Sequence, residues 1–503
     1  MVKLLFGLNK AVGGILRLGI GGGLRMNNIK ELEINKSYVT YMFPFSFHEK
    51  QRQKLMETLE RHHFKFFELN NKELQTGYYG EGVKIRHERL SQFFLPYIED
   101  KLFPKTTKNR GFLRYSKEIN EKFVWKLRGQ KSNFVINSVD ITLCPFGIGV
   151  ITIRTLKEDQ ETLSDFLHFL SHFRVLEPKL EEEKGVKISN DSYVFETTNQ
   201  LVLDYLCPSV KPFIIRNEHL EGYYGSLPFF EDARMMSSIF LVVKKDEEIL
   251  QEHLYRVAQV DGRVDGEPYI SSTNSDYIER FVEERLYDRW APNTYTITSE
   301  NVQATVTNNE EQTYRKDIEE FMGTMYYNLL LHYYYKIMLL KLSFEHSEVS
   351  WSKDKDYVKE LIELISKFYS RYYFGQVSAR QEGKELTHLL RETFNLNHLF
   401  IEVKKTLDDL YRAQENQTNN RHNMLLFMLT IYTTISGIYG MNLVIEDWKG
   451  FTDWSKVPGY SFFEWISLVT ALSGIGLAIA LLVSTGGKGM LNKYRKWKRD
   501  RLG

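Results

Sequence analysis

A chain of 503 residues, 43% of them hydrophobic, can bury a large core and has the length for about two to four domains. Its 66 basic and 65 acidic residues leave a formal charge of +1, which excludes a nucleic-acid binder held by overall charge. Two isolated cysteines, Cys144 and Cys207, exclude a disulfide framework or a zinc cluster, and a mean hydropathy of −0.37 confines any membrane-inserted part to local segments.

Residues 1–26 form a basic, glycine-rich leader with Lys3, Lys10, Arg17 and Arg25 and no acid. Its apolar stretches are too short to span a bilayer, so it reads as a disordered leader or a weak interfacial anchor. Residues 27–310 read as a cytosolic α/β (or α+β) domain, with a possible subdomain boundary at the charged run Glu181–Lys184. Val139, Ile141 and Leu143 alternate, Cys144-Pro145-Phe146-Gly147 turns, and Ile148, Val150, Thr152 and Arg154 continue, which predicts a hairpin. Thr162–Phe173 follows as an amphipathic helix. Its Asp165, His168 and His172 share a face, as metal ligands or as a solvated or packed surface. Ser238–Val243 predicts a buried strand, and Tyr295–Val306 another. Just before it, Arg289 and Trp290 offer a cation and a ring to a small ligand, or a structural salt bridge. Gly80-Glu81-Gly82 and Gly147-Ile148-Gly149 are turns, and no HExxH, Walker A, GxSxG or CxxC pattern points to an enzyme.

Residues 311–423 turn helical. Leu386, Leu389, Thr393, Leu396, Phe400, Val403, Leu407 and Leu410 recur at spacings of three and four, a coiled-coil-type seam. No proline interrupts Leu386 to Asn442, so a single stalk helix of roughly 85 Å is expected. Its stretch Gln414–Asn423 is polar, as an interfacial collar or a pore mouth would be. Met424–Met441 and Ile466–Val483 carry no formal charge, and each approaches the roughly 20 residues that cross a bilayer. These predict transmembrane helices over 424–442 and 463–485, an external loop over 443–462 holding Glu446, Asp447 and Asp453, and a basic tail over 486–503. By the positive-inside rule both termini face the cytoplasm, which places the protein in the plasma (inner) membrane.

Thr430, Thr433, Gly437 and Asn442 lie broadly on one side of the first segment. Hydroxyls in hydrocarbon need partners or water, so a ring of such helices around a cation pathway is one reading and polar glue between helices the other. The stretch Gly437-Ile438-Tyr439-Gly440-Met441-Asn442, at the end of the first of two C-terminal spans, resembles the CorA superfamily of Mg²⁺ channels. The resemblance covers about the last 120 residues. It implies a homopentameric funnel in the lipid bilayer. Tyr439, Gly440, Met441 and Asn442 would form the outer mouth, with Gly437, Thr433 and Thr430 below, and Asn442 would contact hydrated Mg²⁺ or another divalent cation. The sequence departs from the family in its loop Leu443-Val444-Ile445-Glu446-Asp447-Trp448, in a pore helix without proline and in a larger cytosolic part. In outline it resembles the CorA-like proteins encoded with type III CRISPR systems. That branch implies a non-enzymatic antiviral effector opened by a nucleotide second messenger. A housekeeping Mg²⁺ channel and a membrane-tethered, non-conducting binding protein are the alternatives.

Overall fold

The computed structural model describes residues 29–69, 71, 78–80, 83, 85, 87–215, 234–347, 355–442, 454–466, 468–470, 472–474 and 476. The expected leader, much of the expected loop and second span, and the tail lie outside these residues. The chain divides into two compact units, residues 1–407 and 408–503.

The first unit is built on β-branched and aromatic runs that favour a pleated, half-buried surface. The strands in chain order are β1 (Glu33–Ser46), β2 (Lys65–Phe66), β3 (Leu113–Leu127), β4 (Gln130–Leu143), β5 (Ile148–Lys157), β6 (Glu161–Thr162), β7 (Lys187–Ser189), β8 (Val194–Phe195), β9 (Met236–Val243), β10 (Arg263–Val264), β11 (Glu267–Pro268), β12 (Leu286–Tyr287), β13 (Thr294–Thr298) and β14 (Val302–Thr307). All but β10 and β11 join one sheet, ordered β12-β13-β14-β9-β1-β5-β4-β3-β7-β8, with β2 on β3 and β6 on β1. Its pairs are antiparallel except β14 with β9. That parallel pair needs a crossover, which the helices Gln251–Gln259 and Ser275–Arg285 supply.

Alternation gives the sheet two unlike faces. One carries Val39, Tyr41, Ile153, Val139, Ile141, Ile239 and Ala304 into a large apolar core. The helix Leu163–Phe173 lies on that face with Phe166, Leu167, Leu170 and Phe173 buried, and Thr162 caps it by accepting from the Asp165 amide at 3.2 Å. The other face is polar in its middle. Paired neighbours run Thr298, Gln303, Ser238, Thr40, Arg154 and Ser138 across six strands, all buried. A nearly continuous helical run covers this face: Glu311–Glu320, a π turn over Phe321–Met325, then Tyr326–Ser347. Phe321 meets Phe240 of β9 at 5.5 Å, and Lys341 reaches the Phe146 carbonyl at the β4–β5 turn at 3.0 Å.

The expected hairpin is β4–β5, closed by the Cys144 amide on the Ile148 carbonyl at 2.8 Å. Phe146 and Gly147 take positive φ there, and a Cβ on Gly147 would lie 2.5 Å from the Phe47 carbonyl oxygen. The expected strand Tyr295–Val306 is instead the hairpin β13–β14, with Thr294 against Thr307. The single helix expected from Leu386 to Asn442 is two, Gln381–Thr393 and Leu396–Asn442. The break falls at Asn395 with φ 51°, a conformation asparagine tolerates better than most residues. Much of the seam is filled by the chain itself, since the Phe400 ring stacks on Tyr373 at 4.7 Å and meets Tyr369 at 4.8 Å.

The membrane architecture is corrected. Among the described residues no helix is long and apolar enough to cross a membrane. This overturns the two transmembrane helices, the funnel and ion channel built on them, and the multi-pass placement in the plasma (inner) membrane. The physical reason lies in the helix Leu396–Asn442. The apolar run of that helix begins only at Met424. Thr430, Tyr432, Thr433 and Thr434 dilute that run, and the polar stretch Gln414–Asn423 precedes it. Only part of the second expected span is described, with Tyr432 Oη donating to Ser473 Oγ at 3.0 Å.

Phe166, fully buried under the sheet, measures the strength of the apolar core. Phe166→Ala should lower unfolding free energy by about 3–5 kcal/mol in urea titration, the cost of lost transfer energy plus a cavity. A loss below about 1 kcal/mol would mean that this helix is not docked as described.

Candidate functional site

The polar face of the sheet concentrates its charge at one place. Arg114 stands on β3, Asp140 on β4 and Arg154 on β5, with side chains 4%, 0% and 1% exposed. Strand pairing sets Asp140 opposite Ser116 on one side and Thr152 on the other, so the three charged side chains share a face. Arg114 Nε and Arg154 Nη1 both approach Asp140 Oδ2, at 2.9 and 2.6 Å. One carboxylate thus answers two guanidiniums, and a positive charge remains inside the protein.

Tyrosines and hydroxyls wrap this excess charge. Arg114 Nη1 donates to Tyr79 Oη at 2.9 Å and, in a shorter contact, to Tyr327 Oη, while its Nε donates to Ser116 Oγ at 3.0 Å. Arg154 Nη1 donates to Ser138 Oγ at 3.3 Å, and Ser138 Oγ donates to the Tyr78 carbonyl at 2.5 Å. Thr152 Oγ1 and Tyr326 Oη share a 3.0 Å hydrogen bond. The Arg154 guanidinium lies 5.0 Å from the ring centres of both Tyr79 and Tyr326, and that of Arg114 lies 4.2 Å from Phe67, where ring quadrupoles favour a cation. Gly80 beside this group takes φ 101°, the left-handed region that favours glycine, and a Cβ there would lie 2.4 Å from Asn137 Nδ2.

Electrostatics follow from the count. Burial alone would raise Asp140, but Arg114 and Arg154 outweigh it and hold the carboxyl below its ordinary value. Burial would lower both arginines, and Asp140 together with the neighbouring tyrosines more than offsets it. Among the described residues, Arg114 Nη2, Arg154 Nε, Arg154 Nη2, Asn137 Oδ1 and Asp140 Oδ1 have no hydrogen-bond partner. Three N–H-bearing nitrogens of these buried guanidiniums thus make no hydrogen bond among the described residues.

The residues expected from sequence lie elsewhere. Arg289 pairs at the surface with Glu385 at 3.0 Å, and Trp290 packs edge-on to Tyr287 at 5.3 Å. Asp165 takes Arg263 at 2.7 Å, while the His168 and His172 rings lie against each other at 4.5 Å and near Trp125. No group of three or more His, Cys, Asp or Glu residues among the described ones could hold a metal ion. The hydroxyls of Thr430 and Thr433 donate to the Leu426 and Leu429 carbonyls of their own helix, each at 2.8 Å, and Gly437 has open space beside it. The helix backbone extends through Tyr439, Gly440, Met441 and Asn442, whose side chains lie outside the described ones, as do Glu446, Asp447 and Asp453 entirely.

A separate cleft of about 590 Å³ opens among Glu33, Trp125, Lys131, Asp159, Glu161 and Asp165. Three of its carboxylates are held by bases, Glu33 by Lys244, Glu161 by Lys157 and Asp165 by Arg263. That cleft has a balanced wall; the arginine group does not. No family model, no curated protein and no solved structure matches the chain.

Reading by motif missed Arg114, Asp140 and Arg154. Each charge alternates with apolar neighbours, as in Val139-Asp140-Ile141, and by period alone reads as an ordinary solvent-facing strand position. Asp140→Asn should cost about 3–5 kcal/mol, because two buried guanidiniums lose their counter-charge. Since the Asp140 pKa is depressed on folding, its contribution is complete above about pH 4 and lost as pH falls through the lower folded-state value. Urea midpoints should therefore decline below about pH 4 in the wild type, with a smaller decline in Asp140→Asn. Parallel declines in the two proteins would refute the assignment.

Proposed function

We propose that this protein is a ligand-binding protein whose α/β unit takes a small phosphate-bearing molecule, a nucleotide, at Arg114 and Arg154. The observation that carries the reading is the pairing of two buried guanidiniums with a single carboxylate, with Arg114 Nη2, Arg154 Nε and Arg154 Nη2 unbonded among the described residues. Planar guanidinium forks match phosphate oxygens two at a time, and a dry setting strengthens each charge-assisted bond. Tyr79 and Tyr326 add ring faces beside Arg154, and the Tyr327 hydroxyl stands at Arg114. A nucleotide second messenger is also the ligand class implied by the sequence resemblance.

Binding rather than catalysis is the reading that the surroundings favour. Asp140 is fixed between two arginines that keep it ionised and weakly basic, which suits a counter-ion and not a general base. Burial pushes the Cys144 and Cys207 thiols up, away from the reactive thiolate. The ligand reaches the arginines only if the elements above them part, so binding and a shape change go together.

Isothermal titration of the full chain with ATP and with inorganic pyrophosphate tests this. Both should bind, and Arg154→Met, which keeps the side-chain bulk, should weaken both at least about tenfold while the far-UV spectrum is retained. An absence of heat with either probe, or an unchanged Kd in Arg154→Met, would sink the proposal.

A further inference from the structure

The helical run above the arginines contains one irregular turn, and it falls between two charged contacts. Phe321–Met325 is a π turn, with all five residues buried. Directly after it come Tyr326 and Tyr327, the residues that meet Arg154 and Arg114. Directly before it comes Glu320, whose Oε1 accepts from Arg89 Nη1 at 2.9 Å. Within the turn, Met325 packs with Tyr287 and with Leu386 of the helix Gln381–Thr393.

A π turn holds one residue more than the α-helix it interrupts, with longer hydrogen-bonded loops and poorer packing along its axis. An α-helical alternative is therefore close by. Adopting it would rotate the helix after the turn by about 100° relative to the helix before it, because each α residue turns the chain by that amount. Two details mark the present form. Thr324 Oγ1 donates to the Glu320 carbonyl at 3.3 Å, supplementing a backbone acceptor where the ladder changes register. Gly323 passes close to Ile85, where a Cβ would stand 3.3 Å from Cγ2. Tyr326 and Tyr327 cannot keep their places on the arginines while Glu320 keeps Arg89 if the turn tightens. Only the π form satisfies both ends.

We propose that the π turn Phe321–Met325 couples occupancy of the Arg114–Arg154 site to the Arg89–Glu320 ion pair and to the seat of Met325 on Leu386. The coupling rests on the reading of the arginine pair as a ligand site. An oxyanion competes with the Tyr327 hydroxyl for Arg114 and with the Tyr326 ring for the space beside Arg154. Either displacement pulls on the first turn of the helix Tyr326–Ser347, and the π turn is the adjoining segment with a second regular form to adopt. The ion pair at the other end is also poorly anchored, since burial and the neighbouring Glu382 push Glu320 up to about 7 against the opposing pull of Arg89.

Hydrogen exchange of the full chain, with pyrophosphate as the probe and calorimetry run in parallel, tests the coupling. Pyrophosphate should change amide exchange at least about fivefold both in residues 320–327 and around Leu386. Reciprocity requires that Glu320→Gln and Arg89→Met, which do not touch the arginine pair, each shift the pyrophosphate Kd at least about threefold in the same direction. The double variant should add nothing further, as for two ends of one contact. If pyrophosphate binds while exchange in 320–327 is unaltered and both variants keep the wild-type Kd, the coupling is refuted and the site stands. If pyrophosphate does not bind the wild type, the site reading falls first and the coupling with it. Should either variant fail to fold, the exchange pattern of the wild type decides alone.

Discussion

Two guanidiniums and one carboxylate on a buried sheet face set the terms for everything packed above them. Their separate removal from water costs several kcal/mol per ion, and the attraction between Asp140 and its arginines recovers this only where the remaining N–H groups are also met. Aliphatic side chains cannot meet them. Tyrosine can in part: Tyr79 and Tyr327 accept from Arg114 Nη1 and Tyr326 lays a ring face by Arg154, while Arg114 Nη2, Arg154 Nε and Arg154 Nη2 stay unbonded among the described residues. The tyrosine-rich composition is therefore more than bulk. In the helix Tyr326–Ser347 its first two residues serve the charges, while Tyr334 and Tyr335 pack further along against Phe112, Phe368 and Tyr373.

The same constraint explains why the sheet has one oily face and one polar face although both are covered. On the face beneath Leu163–Phe173, apolar side chains interlock and no partner is needed. On the other, the row from Thr298 to Ser138 asks for hydrogen bonds along its length. Thr296 with Thr305 and Thr294 with Thr307 satisfy each other across β13 and β14. Ser238 Oγ, Gln303 Oε1 and Thr298 Oγ1 have no hydrogen-bond partner among the described residues. Such a face adheres less firmly to its helical cover than the apolar face does to Leu163–Phe173. If this molecule opens between layers, it opens there, under the helices that hold the π turn.

What was legible in the sequence was local. The β4–β5 hairpin, the strand within β9 and the helix Leu163–Phe173 each declare themselves by period and by turn chemistry within a short window. The arginine group does not, because Arg114, Asp140 and Arg154 meet only after β3, β4 and β5 have paired in register. No window short enough to show periodicity contains all three. Asn395 was hidden differently. Its left-handed backbone ends one helix and starts another without proline or glycine, so the heptad pattern on either side runs through the break as if nothing had happened.

The expectation of a ring of helices rested on the hydroxyls of the first apolar segment. An apolar count treats Thr430, Thr433 and Thr434 as polar groups that must find partners on other helices, and that need calls for a ring of helices. The hydroxyls have a cheaper solution, since each bonds the carbonyl four residues back on its own helix. A threonine satisfied in this way asks for neither a neighbouring helix nor a cation. The charge that does demand a partner sits in the first unit, on β3 and β5, where a lone carboxylate faces two arginines.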